Sequence, residues 1–311
     1  SAHRRDFTPM GPGRVDLSDS PQPGHHDGTM TARALQTGFH PRHLLATWAA
    51  RVADVLIATC VILIAIRQTG IAVGPTAGML ALLPWAGVGA LAAGIHSVVL
   101  RRLRHSAIAL VAAALVLVWW SPMFRVDTQQ TSSAAAPSMR VVSLNTMSSS
   151  VAAGDFLRTI PRMRPDVVVL SELTSSTSAV VRRSAIARTL PYVTRPGVVD
   201  GLAILSRWPV THVSPIAVRY GGYRVTLQPP DAAPVTMVAV HPMSPRWFAA
   251  RPWSLDQQTV NRAVSEVVGP LVLVGDLNLT RDHLPFRRLQ SLGLRDAADM
   301  RGAGWSPTWS L

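Results

Sequence analysis

Three long apolar runs fill the first part of the chain, and short apolar runs separated by polar turns make up the rest. The long runs cover about residues 44–66, 71–100 and 106–124. Each approaches the roughly 20 residues that a helix needs to cross a bilayer. The middle run contains Gly74, Pro75, Pro84, Gly87 and Gly89, which predicts a kink or an interfacial start; neighbouring helices tolerate such residues by re-satisfying the backbone. Arg51 and Asp54 lie near the polar end of the first run and are expected to pair with each other. Trp119 and Trp120 close the third run and suit an interfacial anchor.

Past residue 138 the apolar runs shorten and alternate in type. Residues 140–144 read as a strand ending in Asn145, 152–163 as a helix, and 166–170 as a buried strand ending in Ser171 and Glu172. Residues 174–190 read as helical and 201–206 as a strand. An antiparallel meander follows over 211–218, 223–227 and 235–240, and its last strand ends in His241. Ser254 and Gln257 have the spacing of a capping box, opening a helix with an apolar stripe of Val260, Ala263, Val264, Val267 and Val268. Gly269 and Pro270 stop it. Residues 271–274 are then a buried strand, Gly275 ends it, and Asp276 and Asn278 sit at its tip. An ordinary strand-to-turn exit also favours Gly, Asp and Asn.

These patterns divide the chain into a disordered cytoplasmic N-terminus (1–43), a three-helix transmembrane region (44–125), a polar linker (126–138) and a C-terminal domain (139–311). The sequence opens on Ser1, with Met30 a candidate internal start, and His25 and His26 read as polar filler in the tail. All 30 basic residues are arginine, and the net charge of the 311 residues is +13. Their placement sets an orientation. Arg33, Arg42 and Arg51 precede or begin the first run, Arg101, Arg102 and Arg104 fill the second connection, and the first connection holds only Arg67. By the positive-inside rule the N-terminus is cytoplasmic and everything after Phe124 lies outside. The charge also suits phosphates or anionic lipid. Cys60 is the single cysteine, which excludes a disulfide within the chain.

The strand ends carry the candidate chemistry. Asn145, Glu172, His241, Asp276 and Asn278 each sit just past an apolar run. Together they offer a carboxylate for a hard cation, a histidine for proton transfer or charge stabilisation, and an Asp/Asn pair for positioning a water. That inventory fits phosphoester hydrolysis with Mg²⁺. Arg207, Arg246 and Arg281 lie near these motifs as candidate phosphate ligands. Trp247, Phe248 and Trp253 either cap the core or dip into the membrane interface beside the site.

The segments Ser143-Leu-Asn-Thr146, Asp166-Val-Val-Val-Leu-Ser-Glu172, Gly201-Leu-Ala-Ile-Leu-Ser-Arg207, Val240-His-Pro242 and Gly275-Asp-Leu-Asn278 occur in that order. As an ordered set they resemble the endonuclease/exonuclease/phosphatase superfamily over 139–311. With three apolar runs ahead of them, the whole chain is similar to membrane-anchored actinobacterial members, including the VanJ-type teicoplanin-resistance proteins. The resemblance implies an α+β, DNase I-like fold: a four-layer α/β/β/α sandwich preceded by three transmembrane helices. It also implies roles. Glu172 would be the ligand of Mg²⁺, or of Mn²⁺, and Asn145 would orient the metal or the phosphate. Asp276 and Asn278 would position and activate the attacking water. His241 would stabilise the transition state or protonate the leaving group. Ser171 and Leu277 depart mildly from the family's Gln and Phe. The family also carries an Asp-His pair on a final strand after a segment like Pro307-Thr-Trp309, so the chain reads as a fragment at both ends, and as severely impaired in hydrolysis if complete. The implied function is a membrane-anchored, Mg²⁺-dependent phosphoesterase acting outside the membrane on lipid-linked phosphate or pyrophosphate. An extracytoplasmic nuclease and a catalytically inactive, membrane-tethered binding domain are the alternatives. The expected partners are the lipid bilayer and a phosphoester substrate, lipid-linked or nucleic acid, with no protein partner.

Overall fold

The structure, a computed structural model, describes residues 41–71, 75–126, 138–194, 201–246, 249–305 and 308. The expected tail, the body of the linker, Trp247, Phe248, Pro307 and Trp309 fall outside these residues. The chain divides into two units, 1–45 and 46–311, and the second holds the features below.

The apolar runs become helices α1 (Pro41–Thr69), α2 (Thr76–Met79), α3 (Leu83–Val99) and α4 (Leu103–Trp120). A 3₁₀ turn at Leu80–Leu82 joins α2 to α3, and another at Ser121–Phe124 extends α4. The stretches Leu44–Thr69, Thr76–Val99 and Leu103–Phe124 are long and apolar enough to cross a membrane. Pro84 falls in the first turn of α3, where its missing N–H costs nothing. Cys60, Leu63, Leu83, Ala90, Ala112 and Val116 form the bundle core. Asp54 does not pair with Arg51. Arg102, from the α3–α4 connection, donates from Nη2 to both of its oxygens at 2.8 and 3.0 Å, a charge-assisted contact. Arg51 instead lies over the Trp48 ring at 5.7 Å.

The C-terminal domain follows as β1 (Val141–Asn145), α5 (Ala153–Thr159), β2 (Val167–Leu173), α6 (Ser175–Arg183), α7 (Ala185–Thr189), β3 (Tyr192–Val193) and β4 (Gly201–Ser206). Then come β5 (Val210–Pro215), β6 (Gly222–Leu227), β7 (Val235–Val240), α8 (Ala250–Ser265), β8 (Leu271–Gly275), α9 (Leu284–Ser291) and α10 (Ala297–Arg301). The expected helix over 174–190 is broken at Ser184, whose hydroxyl donates to the Val181 carbonyl at 2.6 Å and so offers the backbone an alternative to the helix ladder. The expected capping box is also absent. α8 starts at Ala250 with Pro252 in its first turn, and Gln257 is buried inside it, donating to the Leu277 carbonyl at 2.9 Å.

Two mixed sheets form, in the orders β1-β2-β4-β3 and β5-β6-β7-β8. Period-two alternation along the buried strands assigns every layer. Val167 and Val169 of β2 meet Met237 and Ala239 of β7 between the sheets. Val168 and Leu170 turn the other way, onto Phe156, Ile160, Val181 and Ile186 of the helices on that side. Val238 and Val240 turn onto Val260, Ala263 and Val264 of α8. The result is the four-layer sandwich, with a dry face on each side of each central strand.

The helical bundle and the sandwich meet through polar groups. Arg67, at the end of α1, donates to Asp282 Oδ1 at 2.8 Å, and Trp120 donates to Asp282 Oδ2 at 3.1 Å. Trp119 lies under the Arg67 guanidinium at 3.8 Å, while Trp120 stacks on Trp305 at 4.9 Å. The two tryptophans therefore face this junction. The buried Asp282 carboxylate satisfies the Trp120 indole N–H.

Candidate active site

Pairing direction gathers the candidate residues. β1 and β2 are parallel, with Asn145 opposite Ser171, so Asn145 and Glu172 leave the first sheet at one end. β7 and β8 are parallel, with Val240 opposite Gly275, so His241 and Asp276 leave the second sheet together. Face-to-face packing of the sheets then brings these four strand ends into one cleft. The Asn145 amide nitrogen donates to Glu172 Oε1 at 2.8 Å and to Asp276 Oδ2 at 2.9 Å. One neutral donor thus holds two carboxylates side by side. His241 Nε2 lies 3.6 Å from Glu172 Oε1 and 3.8 Å from Asp276 Oδ2. The Asn278 side chain donates to the Pro242 carbonyl at 2.9 Å and its backbone N–H donates to Asp276 Oδ1 at 3.1 Å.

The turns that carry these groups are conformationally unusual. Met147, Ser148, Glu172 and Asn278 are non-glycine residues with φ between 48° and 57°, a region that such residues occupy rarely. Gly275 has φ 129°, and a Cβ there would lie 2.0 Å from the Val240 carbonyl oxygen. Only glycine fits where β7 and β8 converge on the cleft.

Three further residues shape the site. Ser148 donates to Glu172 Oε2 at 3.0 Å, so both carboxylate oxygens have a donor. Thr146 is buried and donates to the Ser171 and Glu172 carbonyls, each at 2.9 Å. Tyr220 packs on the His241 ring at 4.9 Å. Ser148 and Tyr220 lie in turns without periodicity, so only their closeness to the Asn145 and His241 tips could have signalled them.

Two of the three candidate arginines, Arg207 and Arg281, are engaged elsewhere. Arg207 follows β4, which runs antiparallel to β2, and it pairs with Asp166 at 3.5 Å, at the end of β2 opposite Glu172. Arg281 is spent on Asp299 and on the Trp119 carbonyl at the bundle junction. Arg246 is exposed on the loop after His241. Trp253 is buried and donates to the Asn278 carbonyl at 3.0 Å, so it supports the turn from inside.

Among the described residues, no three His, Cys, Asp or Glu side chains form a ready-made metal cage. The donor set nonetheless suits Mg²⁺, which binds through one or two carboxylates and keeps several waters. Glu172 and Asp276 present hard oxygens, adjacent and partly open, with side chains 26% and 37% exposed.

A family model described as Endonuclease/Exonuclease/phosphatase family matches residues 142–311. The chain belongs to that family. Endonucleases, exonucleases and phosphatases all break phosphoester bonds, and all five strand-end residues lie within the matched span. No curated protein matches the chain. Similar solved structures include D. rerio TDP2 in complex with a single-strand DNA product, at 15% identity and TM-score 0.39, covering 51% of this chain and 66% of that one. A truncated Caenorhabditis elegans TDP2 covers 47% and 64% at 16% identity and TM-score 0.39. An AP endonuclease from Archaeoglobus fulgidus covers 50% and 71% at 12% identity and TM-score 0.36.

Burial lowers the pKa of His241, against the upward pull of Asp276 and Glu172, and burial likewise lowers that of His283. Both imidazoles are held neutral in the fold. The unfolded chain therefore binds more protons as the pH falls below about 6.5, and stability present at neutral pH declines through that window. Asp282, raised by its own burial, works in the opposite sense. His283→Gln isolates one contributor, because Gln keeps a donor for the Ala77 carbonyl that His283 Nε2 reaches at 2.7 Å. Melting temperatures of the full chain from pH 7.5 to 5.5 should fall less steeply for the variant than for wild type. Equal slopes would clear His283 of the effect.

Proposed function

We propose that the chain is a membrane-anchored, Mg²⁺-dependent phosphoesterase whose C-terminal domain works outside the membrane, on a lipid-linked phosphate or pyrophosphate. The convergence of two carboxylates, an amide donor and a buried imidazole at the strand ends of the family domain carries the hydrolase reading. The substrate reading is supported by where the cleft's loops rest. The loop after His241 packs its Pro245 carbonyl against Gly78, and the loop after Asn278 reaches Ala77 through His283. Both touch α2, in the connection between the first two apolar stretches.

Glu172 would hold the ion, with Asp276 beside it across the shared Asn145 amide. When bound, Mg²⁺ polarises a phosphoryl oxygen and offsets the charge of the transition state. The chain's own groups do the rest. Asp276, aligned by Asn145 and the Asn278 N–H, takes a proton from the attacking water. The Asn278 amide oxygen orients that water, its nitrogen being tied to Pro242. Neutral His241 directs Nε2 at the carboxylate pair and donates to the charge that builds on the phosphoryl group.

The test is turnover by the full chain in lipid nanodiscs with Mg²⁺. Phosphate release from a long-chain prenyl diphosphate, abolished by a chelator, is expected to exceed nucleotide release from single-stranded or duplex DNA. The reverse order would favour a nuclease, and no release from any of them would defeat the hydrolase reading. Orientation has its own check: alkaline phosphatase fused after Ser138 should be active in cells, and an inactive fusion beside an active β-galactosidase fusion at the same site would overturn the outside placement.

A further inference from the structure

We propose that Arg67 and Asp282 are positioning residues, through which the helical bundle sets the place of the turn carrying Asp276 and Asn278. As a statement about catalysis, this rests on the hydrolase reading above. The turn begins at the tip of β8 and ends at the N-cap of α9, His283. Its near side is held by the sandwich: Gln257 and Trp253 of α8 donate to the Leu277 and Asn278 carbonyls at 2.9 and 3.0 Å. Its far side is held by the bundle. Asp282, with a side chain 0% exposed, takes donors from Arg67 and Trp120. His283 donates to the Ala77 carbonyl, and its other ring nitrogen accepts the Thr280 N–H at 2.9 Å. Trp253 and His283 lie 5.1 Å apart, ring to ring, and connect the two sides.

Every residue from Leu277 to His283 is thus within two positions of a group held by a hydrogen bond, and those from Arg67, Trp120 and Ala77 come from outside the sandwich. Asn278 sits at φ 48°, a left-handed conformation that asparagine tolerates better than most residues, so these bonds fix its place rather than relieve strain. The Arg67–Asp282 pair spans 215 positions in sequence, yet only three residues lie between Asn278 and Asp282. Docking of the two parts does not depend on the pair alone. Trp305 packs on Trp85, and the Gly304 N–H donates to the Met123 carbonyl at 2.8 Å, neither contact involving a residue of this turn. A contact needed only for adhesion has no reason to sit in the turn that holds the site.

Removing one member would strand a buried charge and risk misfolding, so the test removes both: Arg67→Met with Asp282→Leu, in the full chain in nanodiscs. Apolar replacement of a buried pair commonly preserves stability while discarding directional bonds. We expect amide hydrogen exchange at Asn278 and Thr280 to quicken about ten-fold or more, with exchange in β7 and β8 unchanged. Turnover should fall about ten- to a hundred-fold in kcat, with KM within about two-fold, the pattern of a displaced catalytic group. Arg67→Lys, which keeps the charge, should recover part of kcat. Unchanged exchange at both amides would overturn the proposal, whether or not the wild type hydrolyses anything. So would quickened exchange with wild-type kcat, since the bundle would then hold the turn to no catalytic end. A wild type without turnover defeats the hydrolase reading alone, and the exchange result still decides whether the bundle places the turn.

Discussion

Asp276→Asn and Glu172→Gln are each expected to lower kcat by about a hundred- to ten-thousand-fold, the range for a lost acid–base or charge-bearing group, while the full chain keeps its melting temperature within about 2 °C. The two halves of that expectation have separate causes. Activity falls because each substitution removes a negative charge from a cluster held together by the single amide nitrogen of Asn145. Stability holds because both side chains are partly open to solvent, at 37% and 26% exposure, and the amides are nearly isosteric. Asn145→Asp should be worse than either, placing a third carboxylate against the other two and forcing one to take a proton. Turnover measured beside thermal unfolding separates the cases. If both amide variants keep more than a tenth of wild-type kcat, the site assignment is wrong.

Gly275→Ala should show the opposite pairing, with fold and activity lost together. The added Cβ would sit 2.0 Å from the Val240 carbonyl oxygen, a backbone atom that cannot swing aside, and φ 129° is strained for any L side chain. The last rung between β7 and β8, Val240 with Gly275, must open to relieve the overlap. Clash and strain together cost about 3 kcal/mol or more, equivalent to a melting temperature lower by about 6–12 °C. Because Val240 precedes His241 and Gly275 precedes Asp276, the displaced strand tips carry two site residues with them. A variant that melts within about 2 °C of wild type would show that the strands yield more easily than their geometry implies.

Much of the architecture was legible because burial writes a period into sequence. The unbroken apolar run at 167–170 marks a strand covered on both faces, which is where the sandwich places β2, whereas the run at 271–274, expected to be buried, forms the half-buried edge strand β8. The polar residue that stops each run marks a tip, and Asn145, Glu172, His241, Asp276 and Asn278 do converge. Strand direction leaves no such mark. Arg207 looked near the site because it ends a family motif, yet antiparallel β4 points its start at the cleft and its end away. Five residues of strand amount to about 17 Å. Tertiary competition is equally silent in sequence. Ser254 and Gln257 have capping-box spacing, but the Leu277 carbonyl claimed the Gln257 amide instead. Asp54 passed over Arg51 for Arg102, which only the folded bundle brings near.

Arg67 closes the longest apolar helix of the bundle, α1, and its side chain grips the turn below the site. Helices that span a bilayer answer a change in its thickness by tilting. In a spanning bundle, a tilt of α1 moves the guanidinium sideways, and Asp282 with it. Under the proposed function, membrane thickness would become a variable of the cleft, read through the Arg67–Asp282 pair together with the Trp120 and His283 contacts.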